Sequence, residues 1–90
     1  MIEVINVLEK VKDIIKNYEM DLSWSTYESE EKLINDLNLY ICKLKENDFS
    51  YNEKIKFLFA PTGDLEEIAI SSEWGEEYIQ LSEIIDKHIK

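Results

Sequence analysis

Apolar residues recur at spacings of three and four along the first segment: Ile2, Ile5, Leu8, Val11, Ile15 and Tyr18, with Val4 and Ile14 widening the stripe. Glu3, Glu9, Lys12, Asp13 and Lys16 fall largely on the other side, so the pattern predicts an amphipathic helix over about residues 2–19. Between residues 21 and 28 that period is lost. Leu22, Trp24 and Thr26 alternate with Ser23, Ser25 and Tyr27, which suits a short extra strand near 22–27 and equally an irregular connector. Ser29 then reads as an N-cap, with Glu30 and Glu31 where the helix dipole favours negative charge. Leu33, Ile34, Leu37, Tyr40, Ile41 and Leu44 form a second stripe running to about Lys45, and Asn47 supplies a left-handed stop.

The run Lys54-Ile55-Lys56-Phe57-Leu58-Phe59-Ala60 alternates, with Ile55, Phe57 and Phe59 on one side, and predicts a strand. Pro61-Thr62-Gly63-Asp64 has the chemistry of a tight turn. Residues 65–71 return as a second strand with Ile68 and Ile70 on its inner face, completing a β-hairpin. A last helix opens at Ser71 or Ser72, with Glu73, Glu76 and Glu77 in its early turns. Trp74, Tyr78, Leu81, Ile84, Ile85 and Ile89 form its buried stripe, and Lys87, His88 and Lys90 complement its C-terminal dipole. The expected fold class is therefore α+β: a single domain over 1–90, in the order α-α-β-β-α, with three amphipathic helices packed on the hairpin. A two-stranded hairpin is marginal in water, so it needs the helices, an added strand from 22–27, or a second copy of the chain.

Charge narrows the partners. Twenty acids against ten Lys, with no Arg, leave a net charge of −10. Phosphate backbones and anionic lipid surfaces are recognised by cations, so nucleic acid and membrane are disfavoured as partners. A cationic protein is the electrostatic complement. From Asp64 to Asp86 there are eight acids and no Lys or Arg. The lone Cys42 excludes a cystine-stapled scaffold. The first residues lack the basic start and apolar block of a signal peptide, and no apolar run approaches the roughly 20 residues of a membrane span. A cytoplasmic location is the expectation.

Candidate chemistry is sparse. A catalytic thiolate needs a neighbouring cation, and His88, the sole histidine, is predicted on a different helix from Cys42. Zinc would require further Cys or His ligands, and Glu73, Glu76 and Glu77 lack both the EF-hand loop and the Glu-x-x-His of di-iron bundles. The 61–64 turn is not a phosphate loop. No catalytic, metal or cofactor residue is assigned, and the expectation is that the chain is not an enzyme. Gly75 is unusual, since glycine in a helical first turn costs about 0.5–1 kcal/mol relative to Ala. Close backbone approach beside a packed Trp74 explains it, and an exposed Trp74 at a partner contact is the other reading. Glu66, Glu73, Trp74, Glu76, Glu77, Tyr78 and Glu83 are the candidate partner-binding residues, the acids steering and the aromatics anchoring.

The residues Phe59-Ala60-Pro61-Thr62-Gly63, Leu65, Glu67 and Ile70, followed by Trp74-Gly75-x-Glu77-Tyr78, resemble a signature of small, mostly uncharacterised bacterial proteins. Trp24-Ser25-x-Tyr27-Glu28-Ser29 is similar to the same group. The resemblance implies a family without established catalytic residues. By looser analogy, proteins of this size and acidity include immunity partners of bacterial toxins. The expected function is a non-catalytic acidic module that binds a basic protein, with a self-associating homodimer as the alternative and an enzyme or metal carrier a distant third.

Overall fold

The predicted first helix forms as α1 (Ile2–Asn17), two residues shorter than expected, and of its predicted stripe Ile2 and Tyr18 are exposed. Its Val4, Leu8, Val11 and Ile15 are fully or almost fully buried, while Asn6, Lys10 and Asp13 face solvent. The computed structural model describes every residue except 1, 23, 24, 26, 61, 62 and 90. A second helix, α2 (Glu30–Lys45), begins where Ser29 accepts a hydrogen bond from the Lys32 amide, so the predicted N-cap holds. It ends at Asn47, which takes φ 60°. The Asn47 and Asp48 amides donate to Leu44 O and Lys43 O, closing a Schellman motif.

The predicted β-hairpin does not form. Residues assigned to its two strands are helical: α3 (Asn52–Leu58) and α4 (Asp64–Ser71), followed by α5 (Gly75–His88). No strand occurs among the described residues, so the architecture is all-α and not α+β. The physical reason lies in an ambiguity of short apolar runs. Ile55, Phe57 and Phe59 alternate, but Ile55, Leu58 and Phe59 also stand at i, i+3 and i+4, and the fold buries that second set. Phe57 is left 77% exposed. In the other segment Leu65, Ile68 and Ala69 are buried at the same spacing. Ile70, expected on an inner strand face, is 61% exposed.

Of the 61–64 turn, Pro61 and Thr62 lie outside the described residues. Gly63 is the N-cap of α4 and Asp64 its first residue, so this segment joins two helices. The alternation at 22–27 falls partly on Ser23, Trp24 and Thr26, also outside the described residues. Leu22, Ser25 and Tyr27 are in no strand. Lys90, read as a helix-end cation, is likewise not described.

Helix α1 packs against both α2 and α5, and α4 packs against α5. The buried apolar residues join into one core cluster, and among the described residues no polar or charged residue is buried. The radius of gyration, 12.0 Å, matches the about 12 Å expected of a chain this long folded around one core. Aromatic packing ties the C-terminal helices together. Phe59 and Tyr78 stack at 6.0 Å, Trp74 meets Tyr78 edge-on at 6.4 Å, and the buried Tyr78 hydroxyl donates to Phe59 O at 3.1 Å. Among the described residues no helix is long and apolar enough to cross a membrane.

Candidate functional site

Helices α4 and α5 meet at a bend that the backbone dictates. The Trp74 amide donates to Ala69 O and the Glu73 amide to Ile70 O, the same Schellman pairing that ends α2. Here the left-handed position is Glu73, at φ 68°. An L-residue with a long side chain pays about 1–2 kcal/mol in that conformation. The bend turns Glu73, Glu76 and Glu77 toward one surface. Together with Ile70, Trp74 and Gly75 they border an open depression of about 460 Å³.

Sequence periodicity explains what else faces out. On α4, Leu65, Ile68 and Ala69 face the core, which leaves Ile70 outward with Glu66 and Glu67 four and three residues before it. Read as a strand, Glu66 and Glu67 would point to opposite faces; on the helix they flank one exposed isoleucine. On α5, Tyr78 and Ile85 face the core, which leaves Glu76, Ile79, Glu83 and Asp86 on the solvent side. Ile79 is 56% exposed. Two isoleucines therefore stand in solvent on adjoining helices, each set among glutamates.

Trp74 and Tyr78 take a different place from the candidate acids. They are 8% and 3% exposed, so they anchor α5 to the core and present little surface to a partner. Trp74 Nε1 is buried and donates to no partner among the described residues. Burial pushes the Tyr78 phenol up to about 12, with the nearby charges of Glu66 and Asp86 adding to the shift. On the far side of Trp74, Glu73 and Glu77 also border a smaller depression of about 170 Å³, together with Ile14, Tyr18 and Ser72. Tyr18, placed by its spacing in the buried stripe of α1, is 67% exposed there.

Ion pairs lie elsewhere. Lys12–Glu9, Lys32–Glu28 and Lys43–Asp48 are separated by 3.8, 2.8 and 3.9 Å, all before α3. Among the described residues, none of Glu73, Glu76, Glu77 and Glu83 has a cation within that range. A further depression of about 390 Å³, between the 27–40 region and α3, is lined by Tyr27, Tyr40, Glu53, Lys54, Phe57, Leu58 and Asp64. Lys54 stands among its carboxylates, so its field is mixed in sign. Tyr27 donates to Asp36 at 2.8 Å, and burial with that carboxylate raises its phenol well above the usual value.

Cys42 is exposed on α2, its Sγ 3.6 Å from Glu46 Oε1. His88 is exposed at the end of α5, beside Glu3 and Lys87 in a groove between α1 and α5. No cluster of three His, Cys, Asp or Glu suited to a metal ion occurs among the described residues. Sequence reasoning missed Tyr18, Ile70 and Ile79. The signal for Ile70 was present, because a helical reading of 65–71 excludes it from the core.

Compared with known protein families, with curated proteins and with solved structures, the chain matches none.

Proposed function

We propose that the protein is a non-catalytic docking module that binds a basic protein through the α4–α5 face. The observation that carries this reading is the placement of Glu73, Glu76 and Glu77 around one open depression, without an ion pair among the described residues. Exposed carboxylates of one sign raise the encounter rate with a cationic surface and select against anionic ones. Glu66 and Glu83 extend the field along α4 and α5. The specific form of the proposal is a cytoplasmic protein that neutralises a cationic toxin. A toxin gene adjacent to this one supports that form, and a solitary gene counts against it.

The test is affinity capture from the native host with the protein and with the triple variant Glu73→Gln, Glu76→Gln, Glu77→Gln. The expected result is a basic protein retained at low salt, weakened at moderate salt, and lost from the triple variant. Recovery of no basic protein, or of one indifferent to both salt and the substitutions, overturns the reading.

A second reading, self-association, is favoured by the groove of about 350 Å³ between α1 and α5, lined by Val7, Leu81 and Ile84 with Glu3, Asn6, Lys87 and His88 around them. Sedimentation equilibrium at micromolar concentration decides it, and a strict monomer removes it.

A further inference from the structure

Charge alone does not account for the α4–α5 face. A polycation needs only carboxylates, whereas this face also holds Ile70 and Ile79 in solvent, 61% and 56% exposed. Isolated exposed isoleucines are common. These two are linked by Gly75: Ile70 lies against it across the bend, and Ile79 is one turn further along α5. A methyl group at Gly75 would meet Ile70 Cγ1 at 3.7 Å, an ordinary contact, so the fold does not demand glycine there. Its bare backbone leaves the depression between Ile70 and the start of α5 open.

We infer, resting on the docking reading above, that the partner segment is an amphipathic cationic helix whose apolar residues seat on Ile70 and Ile79 while its Lys or Arg side chains reach the surrounding glutamates. Along α5 the order is Glu76, Ile79, Glu83, acid–apolar–acid at spacings of three and four. A helix bearing apolar residues one turn apart, flanked by cations, presents the matching order. Burying the apolar contact excludes water from the ion pairs at its rim, which strengthens them relative to pairs formed with a fully hydrated polycation. The isoleucines thus set which basic segment is accepted, and the glutamates set how fast it arrives.

The experiment measures binding of two synthetic peptides of equal length and equal positive charge. One is a Lys–Leu helix with leucines at i and i+4; the other has every leucine replaced by serine. Titration is followed by fluorescence anisotropy at 25 and 150 mM salt, with the protein and with the double variant Ile70→Ser, Ile79→Ser, whose helix content is checked by circular dichroism. The Lys–Leu peptide is expected to bind about tenfold more tightly or better. The double variant is expected to lose that advantage while its affinity for the Lys–Ser peptide is unchanged. Equal affinity for both peptides, or an advantage that survives the double substitution, overturns the inference and leaves the docking reading standing. Binding of neither peptide at 25 mM salt overturns both. Because both substituted positions are exposed, loss of helix content is not expected. Should it occur, the single variants Ile70→Ser and Ile79→Ser carry the same comparison, each expected to lose part of the advantage.

Discussion

The chain contains two glycines, and each stands where a helix begins, but their surroundings differ. A methyl group at Gly63 would lie 3.0, 3.2 and 3.3 Å from the carbonyl oxygens of Ala60, Phe57 and Leu58. These are backbone atoms in the last turn of α3 and just beyond it, less free to move than the end of a side chain. A side chain at Gly63 therefore requires the α3–α4 junction to give by a few tenths of an ångström. At Gly75 the nearest obstacle is a side-chain carbon of Ile70 at 3.7 Å, so the fold would accept alanine. At one glycine the backbone crowds a side chain. The other leaves a space open on the surface, and that space adjoins the isoleucines and glutamates of the proposed docking face.

The two Schellman bends repeat the lesson. Asn47 and Glu73 occupy the same left-handed position with the same pair of backbone hydrogen bonds. Asparagine tolerates that conformation, and its neighbour Asp48 is held below the ordinary carboxyl value by hydrogen bonds from Ser50 and by Lys43. Glutamate tolerates it poorly, and among the described residues Glu73 has no ion pair to offset its charge. The α2–α3 bend thus has a residue suited to its backbone, whereas the α4–α5 bend carries a strained glutamate at the edge of the proposed docking face.

The strongest way to break this comparison is Gly63→Ala, which should lower the unfolding free energy by about 1–3 kcal/mol in urea titration, as overpacking against backbone atoms does. An unchanged midpoint would mean that the junction relaxes and the two glycines are alike. Tyr78→Phe removes the hydroxyl donated to Phe59 O and is expected to cost about 1 kcal/mol. It should also alter the alkaline limb. The folded phenol is raised from 10.0 to about 12, so its stabilisation is complete below pH 10 and is lost as pH rises toward 12, once the unfolded chain ionises first. The variant should lose stability less steeply across that window; an identical slope would dissociate Tyr78 from it. Glu73→Gly should raise stability by about 1 kcal/mol, while Asn47→Gly changes it by no more than about 0.5 kcal/mol. Equal effects at the two bends would remove the asymmetry. Smallest is Gly75→Ala, expected to raise thermal stability by about 0.5 kcal/mol through the unfolded chain's lost freedom. A destabilised variant would show that the fold needs this glycine after all.

Helices α1, α2 and α5 were legible because each carries an apolar stripe long enough to distinguish a period of 3.6 from a period of two. Ser29 and Asn47 marked the two ends of α2 through their side-chain chemistry. Segments 54–60 and 65–71 were not legible as helices, being too short for periodicity to decide. The helical signals they did carry, Gly63 followed by Asp64, Glu66 and Glu67, were outweighed by the resemblance of 61–64 to a hairpin turn. The acids of the candidate face could be read from the sequence, since a solvated face is the default for glutamates. The burial of Trp74 and Tyr78 agrees with their place in the predicted stripe, whereas the exposure of Ile70 was hidden by reading 65–71 as a strand, and that of Ile79 follows from how α5 packs.

The Asp21 amide donates to Ser72 Oγ at 2.8 Å, joining the stretch after α1 to the residue preceding Glu73. A single backbone proton thus sits at the hinge between two distant parts of the polypeptide. Its exchange with deuterium can serve as a built-in gauge: slowing when a bound peptide stiffens the α4–α5 bend, quickening when Ser72 is pulled away, with no label added to the molecule.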